Sequence, residues 1–157
     1  MKGLILIAVA AVCIGSAEAQ QKPQGGDGWI RLFEGKSLAG WHPENDAKWV
    51  VSGGTLVGSG GDGWLRSDRP FSDFQLRLEY RAAAKTNSGV FLRCSKESKH
   101  GDPPNPATGY ELQIYNEEPK WPTGTIEDVL SGYIGLQHHK DNGIAFRNIV
   151  IKPLPPK

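Results

Sequence analysis

The chain has almost no cysteine, two residues in 157, Cys13 and Cys94. Cys13 lies in an N-terminal apolar run that reads as a removable leader, so the mature chain keeps a single thiol and forms no internal disulfide, even in a compartment that allows one. Packing alone has to hold the domain. Cys94 falls in an alternating strand pattern with no helix start beside it, which suits a buried structural thiol better than a nucleophile. An excess of one charge is also missing: 18 Lys and Arg face 17 Asp and Glu, a net +1. Loss of the leader takes one of each, Lys2 and Glu18, and leaves that balance unchanged. Without a clustered basic surplus the chain is not built to grip nucleic acid. A helical period is absent along the whole chain, which excludes a parallel α/β fold. The apolar run Leu4 to Ile14 is short for a bilayer span, and no stop-transfer pattern or basic cluster follows it.

What is present begins with that leader. Met1-Lys2-Gly3 is positive, the apolar run follows, and Ala17-Glu18-Ala19 gives a small-x-small cleavage pattern, so residues 1–19 read as a signal peptide. Val12 before Cys13 argues against lipidation, where a small residue is wanted. The expectation is an exported protein, periplasmic or secreted, with no membrane association after cleavage. Residues 20–27, rich in Gln, Pro and Gly, read as a flexible tether, and residues 28–157 as one domain.

Within the domain, short β-branched and aromatic runs alternate with Gly, Pro, Asn and Asp. Lys48 to Gly58 reads as a hairpin turning at Gly53-Gly54. Phe74, Leu76, Leu78 and Tyr80 alternate with Gln75, Arg77, Glu79 and Arg81, the period of a strand buried on one face. Similar alternation marks strands through Val90–Cys94, Tyr110–Tyr115, Tyr133–His139 and Ile144–Ile151. About eight short strands without intervening helices make an all-β, two-sheet antiparallel β-sandwich. Lys96 to Thr108, carrying Pro103, Pro104 and Pro106, reads as a long loop of the kind that shapes a binding rim. Gly58-Ser59-Gly60-Gly61-Asp62-Gly63 satisfies a dinucleotide-binding pattern, but Trp64-Leu65-Arg66 continues it as a strand and not a helix, so it reads as a Gly-rich turn.

Polar spacing supplies the candidate chemistry. Glu111 and Gln113 lie two apart, as do Gln137 and His139, so each pair projects from one strand face. A carboxylate and an imidazole on a shared surface can exchange protons with a substrate, and glutamine amides both donate to and accept from sugar hydroxyls. A solvated sheet face is the plain alternative. No cofactor is required by these residues. His138 and His139 are neighbours on a strand and point to opposite faces, so they do not share an ion, while one of them with Glu or Asp partners could take a divalent metal. Trp41, Trp64 and Trp121 stand beside Gly, Pro or charged residues and serve either as sugar-stacking rings or as ordinary core.

The segment Leu32-Phe33-Glu34-Gly35-Lys36-Ser37-Leu38-Ala39-Gly40-Trp41 resembles the leading block of the 3-keto-disaccharide hydrolase family. Asn87–Arg93, Gly109–Ile114, Thr123–Ile126, Gly132–His139 and Phe146–Ile149 resemble its later blocks in the same order. The resemblance implies a jelly-roll, concanavalin-like sandwich and cleavage of glycosides already oxidised to a ketone at C3. Such a ketone acidifies the C2 proton, so one base, one acid and a hydrogen-bond or positive group at the enolate oxygen replace the two carboxylates of ordinary glycosidases. By resemblance, Glu111 or His139 moves the proton; Arg93, Gln113 and Gln137 hold a carbohydrate substrate, with Asn87 and Arg147 as further binding candidates. The chain departs from the pattern between Thr125-Ile126 and Gly132, where only Glu127 to Ser131 stands in place of several strands. That shortening is expected to leave sheet edges unpaired. A non-catalytic carbohydrate-binding sandwich and an inactive shortened copy are the competing readings.

Overall fold

The alternating runs resolve into strands, and no helix occurs among the described residues. The structure is a computed structural model that describes residues 6–11, 28–99, 105–115, 126–127, 132–140 and 143–154. In chain order the strands are β1 (Leu6–Ala11), β2 (Ile30–Arg31), β3 (Trp41–Asn45), β4 (Lys48–Ser52) and β5 (Thr55–Gly60). They continue with β6 (Gly63–Ser67), β7 (Phe74–Ala82), β8 (Ser88–Cys94), β9 (Ser98–Lys99) and β10 (Asn105–Pro106). Last come β11 (Tyr110–Ile114), β12 (Ile126–Glu127), β13 (Tyr133–His138) and β14 (Ile144–Pro153). The tether at 20–27 and Trp121 lie outside the described residues.

One sheet runs β1-β7-β14-β5-β4, with β2 also on β14, and the other runs β12-β11-β8-β13-β6-β3. A small β9-β10 ribbon accompanies them, within the stretch read as an irregular loop. Every pairing is antiparallel except β1 on β7, so the expected two-sheet all-β architecture is present. The apolar side chains of the two sheets meet between them: Trp49, Leu56, Leu76, Leu78 and Phe146 from the first, Leu65, Val90, Leu92, Ile114, Ile134 and Leu136 from the second. Each fully buried aliphatic or aromatic side chain of this set contributes roughly 1.5–3 kcal/mol. That layer replaces the disulfide the chain lacks.

Three features were not legible from periodicity. β3 carries Pro43, which breaks the look of a strand, but β3 is the outermost strand of its sheet, so the missing N–H faces no partner. Arg93 adopts φ 55° as a bulge between the pairs Leu92–Ile134 and Cys94–Tyr133. The third is β1: its six residues pair in parallel with β7 from Leu6 opposite Gln75 to Ala11 opposite Tyr80. Residues 6–11 of the apolar run read as a leader thus lie on a sheet edge. The dinucleotide-like glycine run covers the end of β5, the Gly61-Asp62 turn and the first residue of β6, with a strand and no helix after it.

Between the sheets, the His138 ring fills the space over Gly58, where an added Cβ would lie 2.8 Å from its Cγ. Gly58→Ala is therefore expected to destabilise the fold by roughly 1–3 kcal/mol through overpacking. A urea melt with unchanged midpoint would show that the ring is free to move away. Cys94 is fully buried, and burial pushes its thiol up to about 12. At pH 8 its thiolate is then on the order of one part in ten thousand. Native protein should resist iodoacetamide and become labelled only on unfolding, read by intact mass; labelling at the rate of the unfolded chain would contradict this burial.

Candidate active site

In the second sheet, the residues opposite in parity to the core set face outward. Register places them in two rows across the strands. One row runs Gln113, Gly89, Gln137, Trp64, Glu44, and the next runs Glu111, Phe91, Gly135, Arg66, His42. Gln137 falls beside Gly89 because Leu136 pairs with Val90. Three of the four expected polar side chains, Glu111, Gln113 and Gln137, thus share one face of one sheet around Gly89, with Gln137 buried there and His139 apart from them.

Gly89 makes that grouping physically tenable. A Cβ at this position would collide with Glu111 Oε1 and come within 2.9 Å of its Cγ, so the carboxylate lies flat over the glycine. Gly135 does the same for its neighbours in the adjacent row, where a Cβ would meet Trp64 Cδ1 at 3.0 Å and Phe91 Cβ at 3.1 Å. Trp64, Phe91 and Cys94 form a second apolar cluster on this face, joined by Tyr133, with the Trp64 and Phe91 rings edge to face at 6.1 Å. Trp64 is fully buried, and Trp41 is buried in the inter-sheet core with its indole N–H donating to the Leu32 carbonyl at 2.7 Å. Both rings are packing residues, which decides against their use as exposed stacking platforms.

Beside this cluster lies a cation that the sequence pattern does not reveal. Arg66 Nε donates to Glu44 Oε1 at 2.6 Å and its Nη1 to the Ser67 carbonyl at 2.8 Å, while the guanidinium sits 4.7 Å from the Tyr133 ring centroid. Lys96 Nζ is 5.4 Å from the same ring. Trp64-Leu65-Arg66 reads as a strand, and alternation alone puts Trp64 and Arg66 on one face; what it lacks is the register joining that strand to Gly135 and Glu111.

His139 stands just past β13. Its Nδ1 is 3.0 Å from Asp62 Oδ1, and the same carboxylate oxygen accepts the Lys140 N–H at 2.7 Å. Donation from Nδ1 to Asp62 gives the ring a fixed orientation with Nε2 as its acceptor. His138 points between the sheets, where its Nδ1 meets the Gly61 carbonyl at 2.8 Å and its ring stands edge-on to Trp49 at 5.9 Å. The neighbouring rings thus occupy separate surroundings, as strand geometry required. His139 and Glu111 belong to the same sheet, but strand spacing and rise separate their backbones by roughly 16 Å.

The other candidates divide. Asn87 precedes β8 by one residue and shares the parity of Gly89, at the end of the patch. Arg93, displaced by the bulge, donates from Nη2 to Asp73 Oδ1 at 2.7 Å instead of joining the rows. Arg147 belongs to the other sheet, where its Nε donates to Glu79 Oε2 at 2.7 Å, so the structure does not bring it to the patch. Among the described residues no group of three or more His, Cys, Asp and Glu side chains is arranged to hold a metal ion.

Comparison with known proteins bears on this face. The family model described as a 3-keto-alpha-glucoside-1,2-lyase-like domain matches residues 28–129. The match ends inside the short Glu127–Ser131 segment. A 3-keto-disaccharide hydrolase of Bacteroides thetaiotaomicron is 28% identical over 87 residues, which make up 47% of this chain and 30% of that protein. The chain thus matches less than a third of that relative's length. Two solved structures of candidate glycosyl hydrolases from Parabacteroides distasonis share the fold at 20% identity, one with a TM-score of 0.66 covering 82% of this chain and 94% of its own, the other with 0.58 covering 80% and 99%.

Glu44→Ala would leave the Arg66 guanidinium, only 8% exposed, without its carboxylate. The expected cost is about 2–4 kcal/mol by urea denaturation, much of it recovered when Arg66 is replaced by Met in the same chain. Equal loss in the single and double variants would mean that Glu44 acts by packing alone.

Proposed function

Because the chain belongs to the 3-keto-alpha-glucoside-1,2-lyase-like domain family, we propose that it cleaves 3-keto-glycosides on the outer face of its β8-β11-β13 sheet, with Glu111 as the proton-transfer group. The observation that carries this reading is the placement of the Glu111 carboxylate over Gly89, between two glutamines. Sugar binding across that face would set the substrate's C2–H against a carboxylate, and the half-buried Gln113 amide has the donors and acceptors that ring hydroxyls need, with Gln137 buried behind it.

The chemistry balances in two halves. Glu111 takes the C2 proton, the electron pair moves into an enolate whose oxygen is that of the C3 ketone, and the C1–O bond then breaks to release the alcohol. The leaving oxygen gains a proton, and the sugar is left with a C1=C2 double bond conjugated to the ketone. Water added across that double bond gives the free 3-keto sugar and completes a net hydrolysis. Lyase and hydrolase activities therefore share their first half and differ only in hydration. The proton for the leaving oxygen can come from Glu111 itself, which holds it after the first step. His139, oriented by Asp62, stands roughly 16 Å away by backbone, and Arg66, already paired with Glu44, lies with Lys96 around Tyr133 on the same face. The substrate class, export to the periplasm or outside the cell, and any divalent metal requirement belong to the same proposal. No cofactor is assigned a step.

A chromophoric 3-keto-glycoside tests it. Glu111→Gln is expected to lower the rate of leaving-group release by about 10²–10⁴-fold while substrate binding, measured by calorimetry, changes little. Gly89→Ala, which displaces the carboxylate without removing it, should fall in the same direction. Full turnover in Glu111→Gln would remove Glu111 from the chemistry; binding without turnover in the parent chain would favour a carbohydrate-binding module.

A further inference from the structure

We infer that removal of residues 1–19 opens the outer edge of β7, and that this edge then pairs with the β7 edge of a second copy to form a two-fold dimer. The inference rests on the leader being cleaved and is independent of the proposed chemistry.

Four observations lead to it. The edge accepts a strand, since β1 pairs with it at six consecutive positions. β7 is nine residues long and carries neither proline nor a bulge on its β1 side. The other sheet edges are less suited: β3 contains Pro43, β12 has two residues, and β4 has five with a register shift beside Lys48. Finally, the sequence of β7 complements itself. Within each copy Arg77 already meets the Trp29 ring, and Arg147 and Asn148 already reach Glu79. In addition to these contacts, an antiparallel pairing centred on Leu78, the midpoint of Phe74–Ala82, sets Arg77 opposite Glu79 of the second copy and Gln75 opposite Arg81, each twice by symmetry. On the core side it sets Leu78 against Leu78 and Leu76 against Tyr80.

Shifts away from this centre fare worse. Centring on Arg77 or Glu79 places identical charges opposite each other, and centring on Tyr80 keeps one charge match but leaves only Leu78–Ala82 paired. The register that uses the whole strand is also the one that matches charge. Because the two-fold consumes both β7 edges, the assembly closes at two copies. Before cleavage, β1 covers the edge and blocks the second copy, so export and assembly are coupled by one strand.

The experiment uses the full chain expressed with its leader in a bacterial host, with the processed protein identified by intact mass. Light scattering after size exclusion should give twice the monomer mass for processed protein, and the monomer mass for Ala17→Asp, which retains the leader. Processed protein that stays monomeric, or a leader that the wild-type chain never loses, overturns the inference. Arg77→Glu changes an exposed residue and should weaken the dimer by about tenfold or more, as should Glu79→Arg, which also strips Arg147 and Asn148 of their carboxylate and is therefore compared by urea melt with Glu79→Gln. An equimolar mixture of the two variants restores both cross-strand pairs and should dimerise like the parent. Circular dichroism confirms that each variant is folded; a mixture no tighter than either variant alone would sink this register.

Discussion

The polar face depends on one strand having no side chain at one position. Gly89 lies between β11 and β13, and the Glu111 carboxylate occupies the volume that any larger residue would claim. With a methyl group there, the carboxylate would be displaced from its position over Gly89. The rest of the face is arranged around that gap: Gly135 gives Trp64 and Phe91 the same freedom in the adjacent row, and Arg66 reaches the Tyr133 ring beyond them. Polar groups buried in this way are costly unless paired, which is why Arg66 carries both a carboxylate and a carbonyl partner.

What was legible in this arrangement is whatever period two sets. Alternation along Val90–Leu92 and Tyr133–His139 assigns core and outer faces without reference to any other strand, and the same alternation predicts that His138 and His139 part company, whereas Cys94, read with Val90 and Leu92, falls beside Phe91 past the bulge. Register between strands was not legible, because nothing local to Trp64-Leu65-Arg66 says which residues of β13 lie beside it. Arg66 therefore does not stand out as a member of the face. Arg93 is misplaced for a related reason: a single bulge residue, invisible in the hydrophobic pattern, turns its side chain from the patch to Asp73. Arg147 sits on the opposite sheet, and only the tertiary fold could separate it from the others.

The shortened segment between Ile126 and Gly132 raised the expectation of open sheet edges; among the described residues it borders the second sheet, where β12 is a two-residue edge strand, whereas the first sheet has an edge of its own at the outer side of β7. Its hydrogen-bonding groups are covered by the chain's own apolar N-terminal run. Residues suited to a leader by hydropathy are suited to an edge strand for the same reason, since both tasks call for a short, uncharged, β-tolerant run. Length and composition cannot tell the two roles apart, and one segment can serve both in succession.

The two sheets are nevertheless tied at the site by a single turn. Gly61 accepts from the His138 ring on the core side, and Asp62 holds the His139 ring and the Lys140 amide, so one turn between β5 and β6 orients consecutive histidines with opposite tasks. Asp46, from the β3–β4 connection, fixes that turn in its own right by accepting the Asp62 N–H at 3.0 Å. A displacement of Asp46 would therefore reach both rings: the packing of His138 against Gly58 and Trp49, and the orientation of His139 against Asp62. His139 is held through Asp62 and His138 through Gly61, adjacent residues of one turn, so the imidazole read from the sequence as a proton-transfer candidate is oriented by the same short connection that packs its neighbour between the two layers of the fold.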